Sequence, residues 1–140
     1  MNVFRFLLCL SLVLPFFPVQ AGENTSNSNS DKTDKIEVYY FHFTARCITC
    51  KAVEAQTQEN LTALFPDLIK QGKLSFQSVN LDDVSSEKIA NKLQVDSQSL
   101  LIVKGQSKKD LTNDGFLYAK SNPEKFKAIL KQQIEAFRKL

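Results

Sequence analysis

The chain has 140 residues, 43% of them hydrophobic and 24% charged, with a formal net charge of +3. That composition suits one small domain with one core and excludes a chain too polar to fold throughout. The basic excess is slight and unclustered: the adjacent basic pairs Lys108-Lys109 and Arg138-Lys139 have no aromatics interleaved. A nucleic-acid partner, which needs a concentrated basic footprint, is therefore not expected.

In chain order, the first segment reads as a targeting signal. Arg5 precedes an apolar run, Phe6 to Phe17, broken only by Cys9, Ser11 and Pro15; Val19 and Ala21 then place small residues at −3 and −1 of a cut after Ala21. This is the pattern of a secretory signal peptide over residues 1–21. A spanning helix needs about 20 apolar residues, and Pro15 and Pro18 cut this run short, so no membrane association is expected after cleavage. The expected location is periplasmic or secreted, where disulfides persist. Residues 22–35, with the run Asn24 to Ser30, contain nothing to bury and are expected to form a disordered polar linker. The folded domain is expected over residues 36–140.

Ile36, Val38, Tyr39, Tyr40, Phe41 and Phe43 form a nearly continuous apolar run, the composition of a strand buried on both faces. A helix is predicted from about Cys47, with Val53, Leu61, Leu64, Phe65 and Leu68 as its apolar positions. Pro66 kinks or restarts it, and Gly72 ends it. Leu74, Phe76, Val79 and Leu81 mark a second strand. Ser85 or Ser86 is positioned to cap a short helix holding Ile89, Ala90 and Leu93. Leu100 to Val103 reads as a third strand, and a weaker fourth is placed within Lys109 to Asn113 after a turn at Lys104-Gly105-Gln106-Ser107. Ser121-Asn122-Pro123-Glu124 starts the last helix, with Ser121 and Glu124 as a capping box, and Phe126, Ile129, Leu130, Ile134 and Phe137 on one face. The order β-α-β-α-β-β-α predicts an α/β domain: a central mixed sheet flanked by helices, the first two strands parallel.

Cys47 and Cys50 are the two cysteines left once Cys9 is lost with the signal peptide. A C-x-x-C bridge closes too small a loop to restrain the unfolded chain much, so the pair is expected to serve chemistry rather than cross-linking. Cys47 falls where a buried strand gives way to a helix. The orphan amides there favour an anion, and the thiolate is the reactive form. Arg46 and Lys51 add positive charge nearby. The expected roles are nucleophile for Cys47 and resolving thiol for the less exposed Cys50, acting on thiols or disulfides of a partner protein; no cofactor is required.

On the strand, the C-x-x-C pair and the long kinked helix that follows, residues 36–140 resemble the thioredoxin-like superfamily in its minimal form, without the extra N-terminal strand and helix. The resemblance implies thiol–disulfide exchange with Cys47 attacking and Cys50 resolving. Three positions depart from the family's pattern. Arg46 stands where a tryptophan is usual, Ile48-Thr49 where Gly-Pro is usual, and Ser99 where a cis-proline faces the cysteines. In the family that proline pairs with substrate and shields the cysteines from metals.

The Ser99 departure raises an alternative of a different class: a non-enzymatic protein in which Cys47 and Cys50, with or without His42, hold a soft metal such as copper. A structural zinc site is disfavoured, since it takes four ligands. A redox-silent interaction domain is the third reading. His42, on the Tyr40 side of the strand, is expected to be a hydrogen-bonded core side chain before a catalytic one. Glu54, four residues after Cys50, is expected on a solvated helix face, with a proton relay to Cys50 as the functional alternative. Phe116 and Tyr118 read as core or as the wall of a substrate groove.

Overall fold

The computed structural model describes residues 34–140. The expected signal peptide and residues 22–33 of the expected linker lie outside the described residues. Strand β1 (Ile36–His42) is the centre of a four-stranded sheet. On one side it pairs in parallel with β2 (Leu74–Asn80), in register from Ile36 opposite Leu74 to His42 opposite Asn80. On the other it pairs antiparallel with β3 (Ser99–Lys104), which pairs antiparallel with β4 (Ser107–Asp110). The sheet order is β2-β1-β3-β4.

The two-sided apolar run of β1 divides its side chains between two cores. Ile36, Val38 and Tyr40 point to one, with Val53, Leu61, Leu100, Ile102, Phe126, Leu130 and Ile134. Tyr39 and Phe41 point to the other, with Val79, Ala90, Leu93, Leu101 and Val103. Helix α1 (Ile48–Leu64) and helix α5 (Pro123–Arg138) supply the larger core, and helix α3 (Glu87–Leu93) the smaller. Phe126, Leu130 and Ile134 are fully enclosed, each contributing roughly 1.5–3 kcal/mol through removal of apolar surface from water. The mixed sheet with helices on both faces is the predicted architecture.

Proline acts as predicted. Helix α1 stops at Leu64, and α2 (Pro66–Lys70) restarts with Pro66 in its first turn, where the missing amide is no loss. Gly72, at φ +72°, closes α2: its amide donates to the Ile69 carbonyl and that of Lys73 to the Leu68 carbonyl. Such a left-handed stop favours glycine.

Four local expectations need correction. A helix α4 (Thr112–Tyr118) lies where no helix was predicted, its first two residues inside the span given to the fourth strand. Gly115 lets it approach α1, since a Cβ there would sit 3.1 Å from Val53 Cγ1. Phe116 and Tyr118 are partly buried and pack against the larger core. Strand β4 begins at Ser107, earlier than expected, and is exposed along its length. The cap of α5 is Asn122, whose Oδ1 accepts from the Lys125 amide at 3.1 Å; Ser121 instead donates to the Leu117 carbonyl. Ser86 stands at the start of α3, after a 3-10 turn (Val84–Ser86), but makes no side-chain cap bond.

Candidate active site

Because β1 and β2 run parallel and β3 runs against them, His42, Asn80 and Ser99 share one end of the sheet. The loop 43–46 leaves β1 at that end and delivers Cys47 to the start of α1. Cys47 is the N-cap itself: its backbone is extended (φ −74°, ψ 166°), and its Sγ accepts from the Cys50 amide at 3.1 Å. A sulfur in a position usually held by a hydroxyl or carboxylate oxygen takes an orphan donor of the helix and its positive dipole end. Cys47 is exposed and Cys50 buried. The two form a disulfide with their Cα atoms 5.1 Å apart.

The fold is similar to that of thioredoxin O2 from Arabidopsis thaliana in its oxidised state. The match covers 76% of this chain and 84% of that one, at 21% identity and a TM-score of 0.50. The fold is thioredoxin-like. More distant thioredoxin-like matches are mitochondrial thioredoxin 3 from Saccharomyces cerevisiae and the germline-specific thioredoxin Deadhead from Drosophila melanogaster. The first shows 22% identity over 77% of this chain and 88% of that one, with a TM-score of 0.39. The second shows 16% identity over 76% and 89%, with a TM-score of 0.42. No family model matches the sequence, and no curated protein matches it significantly.

Around this cysteine pair the other expected residues take up distinct places. Ser99 opens β3 opposite Phe41, in an all-trans backbone, and its hydroxyl donates to the Ser97 carbonyl at 3.0 Å. His42 is buried, its ring 5.9 Å from that of Tyr40 and its Nδ1 2.9 Å from the Phe43 carbonyl. Among the described residues, with Cys47 and Cys50 joined as a disulfide, no three His, Cys, Asp or Glu side chains are grouped to hold a metal. Arg46 sends its guanidinium to Glu54, with both side chains about three-quarters buried. Glu54 is thus not on a solvated face, and the charge expected to help Cys47 is paired elsewhere.

Three contributors escaped the sequence reading. Gln98 places its Oε1 3.5 Å from Cys50 Sγ. Asp82 accepts from the Thr44 amide at 2.7 Å, and Asn80 Nδ2 donates to Thr44 Oγ1 at 3.0 Å. Together they tie the loop ahead of Cys47 to the end of β2. The Asn80-Leu81-Asp82 run at a strand end, with the Asp82 amide donating to Asn80 Oδ1 at 3.1 Å, is the one sequence signal of that turn.

Beneath the pair, Tyr40 is fully buried with its hydroxyl unpartnered. Burial, and next the Glu54 carboxylate, push its phenol up to about 12, against an opposing pull from Arg46.

Proposed function

We propose that the protein is an exported thiol–disulfide oxidoreductase that exchanges disulfides with partner proteins through Cys47 and Cys50. The observation that carries this reading is the asymmetry of the pair in a thioredoxin-like fold: an exposed sulfur capping a helix, bonded to a buried one. Export rests on the signal-peptide pattern of residues 1–21 and on the persistence of disulfides outside the cytosol.

In the reducing direction, the Cys47 thiolate attacks one sulfur of a partner disulfide. A bond forms between Cys47 Sγ and that sulfur while the partner's other sulfur leaves as a thiolate and takes up a proton. Cys50, deprotonated, then attacks Cys47 Sγ. The Cys47–Cys50 disulfide forms, the mixed disulfide breaks, and the second partner sulfur leaves and is protonated. The partner gains two electrons and two protons, which the cysteine pair loses. Every step reverses for disulfide donation. Cys47 is exposed and Cys50 is buried, so Cys47 is the sulfur a partner reaches first. Ile48, beside Cys47, Phe43 on the preceding loop and Val84 on the turn after β2 are exposed apolar side chains, and they give a partner segment something to pack on at this end of the sheet.

Trapping tests the reading. Cys50→Ser is expected to accumulate mixed disulfides on Cys47 that a reductant releases, and Cys47→Ser none. A Cys50→Ser protein that traps nothing, with wild-type protein that neither reduces nor oxidises a model protein disulfide, overturns it.

A further inference from the structure

Cys47, Cys50 and Glu54 stand at i, i+3 and i+7 of one helical stripe, with Arg46 just ahead of it. Glu54 lies about 10 Å along the axis from Cys47, so the Arg46 side chain must run down the helix to reach it. Both partners are partly shielded, at 24% and 22% side-chain exposure, and both charges act on the Tyr40 phenol below. Arg46 Nη1 to Glu54 is the one side-chain bond made by that guanidinium among the described residues.

We infer that Glu54 is a positioning residue: it draws the Arg46 guanidinium down the helix, away from Cys47, and so sets how readily Cys47 forms its thiolate. The inference rests on the reading of Cys47 as nucleophile. The other charged or titratable groups at this end of the sheet are not equivalent. Lys51 is exposed on the helix, His42 is turned to the Phe43 carbonyl, and Asp82 is held by the Thr44 amide. Gln98, facing Cys50, is neutral. Arg46 is the long cation whose position depends on a single partner, and it is the immediate neighbour of the nucleophile. Freed from Glu54, it can turn to the thiolate, and an opposite charge within about 4–6 Å favours the ionised form.

The test is the rate of alkylation of Cys47 against pH in the reduced protein, resolved by mass spectrometry, together with the equilibrium against a glutathione buffer. Glu54→Gln is expected to lower the midpoint by about half a pH unit or more and to move the equilibrium roughly threefold toward the dithiol. Glu54→Asp is expected to restore the wild-type midpoint. Arg46→Gln alone is expected to leave it nearly unmoved, since the removed charge was held elsewhere, and Glu54→Gln added to Arg46→Gln is expected to do nothing more. An unmoved midpoint in Glu54→Gln overturns the inference. So does the same shift in the Arg46→Gln background, which would mean that the carboxylate acts on Cys47 directly. If Glu54→Gln does not fold, Arg46→Gln decides alone: a rise of half a unit or more means that the guanidinium already serves Cys47. A wild-type midpoint near the ordinary thiol value of about 8.5, with no trapped partner, defeats the exchange reading while the Glu54 comparison stays readable. An activated midpoint that ignores Glu54 defeats this inference alone.

Discussion

The Thr44 amide donates to Asp82 Oδ2 at 2.7 Å, across 38 residues of sequence. The bond fastens the loop that presents Cys47 to the segment after β2, and it holds the Asp82 carboxyl below its usual value of 3.8, the Thr44 amide being the main cause. A carboxylate whose folded value is depressed contributes stability above its unfolded value, and that contribution is lost as pH falls through the folded one. Protection of the Thr44 amide, taken relative to its intrinsic exchange rate, is therefore expected at neutral pH, to be lost as the pH falls through the depressed Asp82 value, and to be absent at all pH values in Asp82→Ala. Equal protection in the variant would show that the bond does not restrain the loop.

Tyr39 and Tyr40 carry the opposite pH dependence. Burial is the leading cause in each, and each phenol is pushed from 10.0 to about 12. A raised folded value keeps the proton on the native side while the unfolded chain loses it, so stability is full below pH 10 and falls as pH rises toward 12. Tyr40→Phe is expected to flatten that alkaline slope by about one proton. It also removes a hydroxyl that has no partner in the core, so stability at pH 7 should hold or rise. Denaturant melts of both proteins from pH 8 to 12 check this, and parallel slopes would contradict it.

How much of this was legible depended on the range of each interaction. The nearly continuous apolar run of β1 and the cysteine spacing placed the nucleophile's junction, because both are local. Helix α4 was not legible: it is seven residues long and carries glycine at its centre, and its packing on Val53 outweighs that low propensity. The capping residue of α5 was missed by one position because Ser121 and Asn122 are both good caps, and they are separated by the bonds they make, Asn122 to the Lys125 amide and Ser121 to the Leu117 carbonyl. The contacts from Gln98 to Cys50 and from Asp82 to Thr44 join residues 48 and 38 apart, beyond any local pattern. Glu54 carried a local signal, its spacing from Cys50, but that spacing pointed to the wrong partner.

Gln94 ends α3 in the left-handed region at φ 55°, which costs a residue with a side chain about 1 kcal/mol relative to glycine. Gln94→Gly is expected to raise stability by roughly that much, because the position already demands the conformation. Chemical denaturation measures it. A loss of stability would mean that the Gln94 side chain makes a contribution larger than its backbone strain.

Gly115 faces Val53 and Leu100 at 3.1 and 3.5 Å from where a Cβ would stand. Gly115→Leu cannot be housed without driving α4 off α1, and a loss of about 1–3 kcal/mol is expected from overpacking. An unchanged thermal midpoint would show that α4 is free to move away.

The central claim is that one sulfur of the pair is built to react and the other to wait. The most direct measurement is limited alkylation of the reduced protein across pH, with the first label located by mass spectrometry. The account predicts that Cys47 is labelled first by a wide margin and that its rate titrates well below the ordinary thiol value of about 8.5, with Cys50 protected until the protein is unfolded. Equal labelling of Cys47 and Cys50, or a Cys47 rate that titrates near 8.5, would contradict it.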